Sequence, residues 1–202
     1  MKRLGILLVW MCASALAHAQ QFPFDYWYEG KVVLEAGDTL RGNVKYNLED
    51  LLQVELKGRL ETFSARKVIF FEIYDTKTRR YRSFYSLPFS ATGGYQAPVF
   101  FELLAEGKMT LLTREALEYR TYNGGFYYYG STTRLVLVNK FYFLKENGDI
   151  EPFTGNKNDF LYLAGNKDQT MQKYMKQNKL GVTDKYQFAS IVQYYNSLFP
   201  NH

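Results

Sequence analysis

Apolar side chains recur at every second position through residues 28–56, and this period dictates the kind of fold open to the chain. In the segment 39–46, Leu40, Val44 and Tyr46 fall on one side with Gly42 between them. Thr39, Arg41, Asn43 and Lys45 fall on the other. Such alternation marks an antiparallel strand with one buried face. Ala36-Gly37-Asp38 offers a turn before it, with Gly37 free to take positive φ, so 28–46 reads as a β-hairpin.

The same logic extends along the chain. Leu52, Val54 and Leu56 predict a third strand, and 60–63 a short fourth. The segment 68–74 is apolar at almost every position and predicts a central strand covered on both faces. Residues 75–79 predict a turn and 81–85 a return strand. Pro88, Gly93, Gly94 and Pro98 predict a loop over 86–98. A second hairpin is expected from 99–104 and 109–113, then a strand near 117–121. The Tyr- and Gly-rich stretch 122–133 predicts a long loop. Strands at 135–144 and 150–153 follow, joined by Asn147-Gly148.

The tail changes period. Asn158 is placed to cap a helix ending at Ala164. Met171, Tyr174 and Met175 have helical spacing within 168–179, and Gly181 stops that run. Asp184 with Gln187 resembles a capping box ahead of an apolar stripe of Phe188, Ile191, Val192, Tyr195 and Leu198.

The predicted fold is therefore mainly β with C-terminal helices. It is an antiparallel meander of about ten short strands, forming a half-open barrel or sandwich capped by two or three short α-helices. Aromatics make up 18 % of the residues, with 18 Tyr and 16 Phe. That agrees with strands, where rings pack well, and so does not by itself argue for a ligand.

The N-terminus bears on location. Met1-Lys-Arg3 is basic, 4–16 is almost wholly apolar, and Ala17-His-Ala19 supplies small residues before Gln20. This predicts a signal peptide over 1–19, a β-rich body over 20–155 and a helical tail over 156–202 packed on the same domain. The apolar run is shorter than the ~20 residues a spanning helix needs, so no transmembrane segment is expected after cleavage.

Cleavage would remove Cys12 and His18, leaving no cysteine and His202 as the sole histidine. Thiol nucleophiles, Ser-His pairs and zinc sites lose their usual ligands, so no metal and no cofactor is expected. Removing Lys2 and Arg3 takes Lys+Arg from 25 to 23 against 20 Asp+Glu, a net charge of +3. That mild excess, with export, disfavours nucleic acid as a partner.

Three sets of residues remain as candidate sites. Tyr122, Phe126, Tyr127, Tyr128, Tyr129 and Arg134 form an aromatic and basic cluster suited to stacking on sugars or filling a partner's pocket. Glu72 and Glu102 lie inside apolar strands, where a charge is costly unless paired. They either form a glycosidase-like carboxylate pair, or each faces a groove edge or meets an arginine from a neighbouring strand, such as Arg82 or Arg134. Lys77, Arg79, Arg80 and Arg82 make a basic hairpin tip that would suit a phosphate or sulfate, or simply a solvated face.

The hairpin Gly30-x-Val-x-Leu-x-x-Gly-Asp-Thr-Leu-x-Gly42, the hairpin Phe101-x-Leu-Leu-x-x-Gly-Lys-x-x-Leu-Leu112 and the closing Tyr195-Asn-Ser-Leu198 resemble a group of uncharacterised secreted and envelope proteins of Bacteroidota. The resemblance implies an envelope location, in the periplasm or at the outer surface, and a β-rich fold with a helical tail. It carries over no catalytic residue. The function expected is a non-enzymatic module that binds an envelope protein or a glycan. The alternatives are a structural accessory of an envelope assembly and a carboxylate-based hydrolase.

Overall fold

The computed structural model describes residues 22–91, 93–123 and 130–199. Among these, the strands are β1 (Tyr28–Leu34), β2 (Thr39–Tyr46), β3 (Leu51–Leu56), β4 (Arg59–Ser64), β5 (Val68–Asp75), β6 (Arg80–Phe89), β7 (Ala97–Ala105), β8 (Thr110–Asn123), β9 (Ser131–Leu144) and β10 (Ile150–Phe153). The helices are α1 (Lys157–Ala164), α2 (Asp168–Gln177) and α3 (Lys185–Ser197). All ten strands join one antiparallel sheet in the order β10-β9-β8-β7-β6-β5-β1-β2-β3-β4. A short 3-10 turn, Ala65–Lys67, returns the chain from the β4 edge to the free side of β1.

The sheet curls into a half barrel. Its register places Val32, Phe71, Phe84, Glu102, Thr113, Phe141 and Phe153 in one row across β1 and β5–β10, all on the inner face. Two cores share that face. In one, Val32, Val44, Leu52, Val54, Phe71 and Phe84 pack inside the curl. In the other, Leu111, Phe141 and Phe143 are covered by the helices through Phe160, Met171, Met175 and Phe188. The Phe188 ring lies within 5.1–6.0 Å of Phe141, Phe143, Phe153 and Phe160, centroid to centroid. The predicted architecture is the one observed.

Several boundaries differ from the sequence expectation. The predicted loop over 86–98 shrinks to 90–96, because β6 and β7 continue through the opposed pair Pro88 and Pro98. Neither outer edge of this ribbon is paired there, since β5 reaches only Tyr85 and β8 only Glu102, so a missing N–H costs no ladder bond. Phe89 packs edge-on against Phe101 and Tyr142, which holds the extension to the sheet. β5 is covered on one face only. Ile69 is 50 % exposed, and Phe70 and Tyr74 are half-buried on the outer side. The strand expected near 117–121 is the far end of β8, and parts of the predicted 122–133 loop belong to β8 and β9.

The helix caps are local. Asn156, two residues before the predicted position, accepts the Asn158 N–H, and Asp159 accepts the Asn156 N–H. Asp184 accepts N–H groups of Tyr186 and Gln187 as predicted, but the Gln187 side chain turns to the Gly181 N–H instead of closing a box. Asn196 then pins α3 to the β7–β8 turn. It accepts the Met109 N–H and donates to the carbonyls of Glu106 and Met109.

Candidate functional site

Glu102 is buried at the seam between the two cores, and it is fully engaged. Its Oε1 accepts from Arg82 Nε at 3.0 Å, and its Oε2 from Arg82 Nη2 and Lys185 Nζ, each at 2.7 Å. Arg82 Nη2 also donates to Glu115 Oε1 at 2.7 Å, whose other oxygen accepts from the Tyr46 hydroxyl at 2.8 Å. Two cations thus balance two carboxylates. Burial alone would push Glu102 up, but Arg82 and Lys185 hold it below the ordinary carboxylate range. Burial pushes the Tyr46 phenol well up, and the nearby carboxylates add to that against the opposing effect of Arg82. A charge-balanced network of this kind ties strands to a helix.

Glu72 stands on the opposite face of the sheet, in the row of Lys31 and Ser83. It pairs with Lys31 Nζ at 3.0 Å and accepts from the Ser83 hydroxyl at 3.4 Å. Glu72 and Glu102 therefore do not converge on one cleft: Glu102 meets Arg82 of the neighbouring strand, whereas Glu72 meets Lys31 and no arginine. The basic tip is likewise divided. Arg82 points into the seam, Lys77 lies over the Tyr26 ring and Arg80 over the Tyr186 ring. Among the described residues no group of three His, Cys, Asp or Glu is placed to hold a metal ion, and no helix is long and apolar enough to cross a membrane.

The chain matches no protein-family model, no curated protein and no solved structure. The site must therefore be read from its own geometry.

Two surfaces stand out. The first is an arm. β8 leaves β7 after Thr113, yet it stays paired with β9 for ten further positions, from Arg114↔Lys140 to Asn123↔Ser131. Among the described residues no third strand accompanies this ribbon. One side carries Leu117, Leu135 and Leu137, all half-buried, and Tyr119, which is 77 % exposed. The other carries Tyr122, 50 % exposed, beside Arg120 and Arg134, which face each other across the strands. Arg120 lies 3.9 Å from Glu118, while Arg134 meets no carboxylate among the described residues. Tyr122 and Arg134 are thus diagonal neighbours on one side of the arm. Phe126, Tyr127, Tyr128 and Tyr129 lie outside the described residues.

The second surface is a groove of about 790 Å³ on the outer face, crossing five neighbouring strands from β3 to β6. Lys31 and Glu72 occupy its middle, Asn43 and Glu55 one end, and Tyr74 and Tyr81 the other. Gly30 and Gly42, opposed on β1 and β2, line its floor. A Cβ on Gly30 would run into the Glu72 carbonyl oxygen, and one on Gly42 into that of Glu55. Sequence reasoning missed this groove because each strand's polar side looks like an ordinary solvated face. The available signal was the recurrence of that side over consecutive strands around two in-register glycines.

Proposed function

We propose that the protein is an exported, non-enzymatic cell-envelope module that docks an acidic protein surface through the β8–β9 arm. The observation that carries this reading is the Arg120–Arg134 pair beside Tyr122. Like charges placed directly opposite destabilise a ribbon, so retaining them favours an anionic partner. A lone two-stranded hairpin is marginal in water, and the half-buried leucines on the other side of the arm are suited to burial against a docked protein. The export assignment rests on the sequence of 1–19, and the non-enzymatic assignment on the engagement of both candidate glutamates.

The test is crosslinking in cells that naturally make the protein, followed by affinity recovery, with an R120E/R134E variant alongside. A stoichiometric protein partner recovered with the natural chain and lost with the variant is the expected result. Recovery of no partner, or of the same partner by both, would overturn the reading.

A further inference from the structure

We infer that the outer groove is a binding site for a neutral oligosaccharide, independent of the arm. Its chemistry is suited to that ligand in three respects. First, it offers an aromatic ledge. Tyr81 is 71 % exposed, and its ring is steadied by Tyr74, 5.0 Å away between centroids. An exposed tyrosine held by a neighbour presents an apolar face with a polar rim, which matches the C–H face of a sugar ring and its hydroxyls.

Second, the polar groups are of the kinds that read hydroxyls in pairs. The Asn43 amide donates to Glu55 Oε2 at 3.2 Å, keeping its own carbonyl and the remaining carboxylate sites free for a ligand. Lys31 and Glu72 form a second donor–acceptor pair at 3.0 Å in the middle of the groove, both partly open to solvent. A sugar hydroxyl is donor and acceptor at once, so it can insert between such partners without leaving either unsatisfied.

Third, the charge balances. The lining holds three glutamates against two lysines and one arginine. A polyanion would meet the carboxylates and a polycation the lysines and arginine, whereas an uncharged ligand meets neither penalty. Five strands at ~4.8 Å spacing give the groove a width of ~19 Å, enough for several linked sugars. The site is open and, apart from Lys57 and Gly58 in the β3–β4 turn, its lining lies on strands, so binding would require little reordering.

The experiment is titration calorimetry of the purified protein with neutral tetra- to hexasaccharides of the gluco, manno and galacto series, and with sulfated and uronic-acid oligosaccharides as controls. At least one neutral ligand should bind with a Kd no weaker than about 1 mM. Tyr81→Ala and Glu55→Gln should each weaken it by about tenfold or more, the loss expected for a stacked ring or a charged hydrogen-bond partner. Both side chains are solvent-facing, so the variants should fold as the natural chain does. Amide shifts at Gly30 and Gly42 on titration should map the ligand to the groove, and an R120E/R134E variant should bind it unchanged. No neutral binding, a preference for the anionic controls, or a loss in the arm variant with none in the groove variants would each overturn the inference.

Discussion

Asp50 in the β2–β3 turn grips Arg114 of β8 through both carboxylate oxygens, at 2.9 and 3.0 Å, although β2 and β8 stand five steps apart in the sheet. The same carboxylate accepts the Phe100 N–H at 2.7 Å. It occupies the place beside β7 that β8 vacates when it departs as the arm. Asp50 does this from a left-handed backbone conformation, φ 59°, which aspartate tolerates better than most residues. One residue thus closes the curl and roots the arm.

Asp50→Ala should cost about 1.5–3 kcal/mol, since it strands a charge and a backbone donor. Arg114→Ala should cost a similar amount, and the double variant less than the two together, by about 1 kcal/mol. Urea midpoints of the four proteins would measure this. Strict additivity would show that the pair does not hold the curl.

Acid should unfold the protein through Glu102. Its folded-state titration lies below the ordinary 4.5, so its ionised form contributes stability above that value. The contribution is lost as pH falls below about 4.5 and through the folded-state value. Urea midpoints between pH 7 and pH 3 should drop for the natural chain. Glu102→Gln should be less stable at pH 7, with a flatter slope below about pH 4.5. Parallel slopes would show that other carboxylates drive the acid transition.

Alkali should act on Tyr28. Burial pushes its hydroxyl from 10.0 up to about 12, with Asp75 and Glu115 adding to the rise and Arg82 opposing it. Stability is unaffected below pH 10 and should decline as pH climbs toward 12, because the unfolded chain ionises first. Tyr28→Phe should reduce that decline in melting experiments at high pH. An unchanged decline would assign it to another group.

Phe188→Ala should cost about 3–5 kcal/mol, because the ring is fully buried in the helix-covered core against four other phenylalanine rings. A loss under about 1 kcal/mol would mean that the helices pack on the sheet far more loosely than these ring contacts indicate.

Gly30→Ala should destabilise by about 1–3 kcal/mol through overpacking, as the new methyl meets a backbone oxygen that cannot rotate away. The same change at Gly130, where a Cβ would meet nothing within 4 Å among the described residues, is the control. Equal melting temperatures for the two variants would remove the close approach as a constraint.

The sequence made the strands and helices legible because their signals are local. Leu52, Val54 and Leu56 announce a strand by themselves, and Asp184 announces a helix start. The Glu102–Arg82 pairing was within reach for the same reason, since β6 and β7 are consecutive. Lys185 was not, because it lies 83 residues from Glu102 and looks like any lysine opening a helix. Asp50 was hidden likewise, as its partner becomes a neighbour only after the sheet has curled. Pro88 and Pro98 misled because the rule against proline in strands supposes a ladder on both sides, and here each proline has a free edge.

The order in which the chain is made has a consequence at the seam. Arg82, Glu102 and Glu115 are all in place by the end of β8, and together they carry one surplus negative charge. The cation that neutralises it is Lys185 of α3, which follows Glu102 by 83 residues. Without α3 the strands would enclose one uncompensated carboxylate, which is costly to bury, so the helix serves as a latch on the closed sheet.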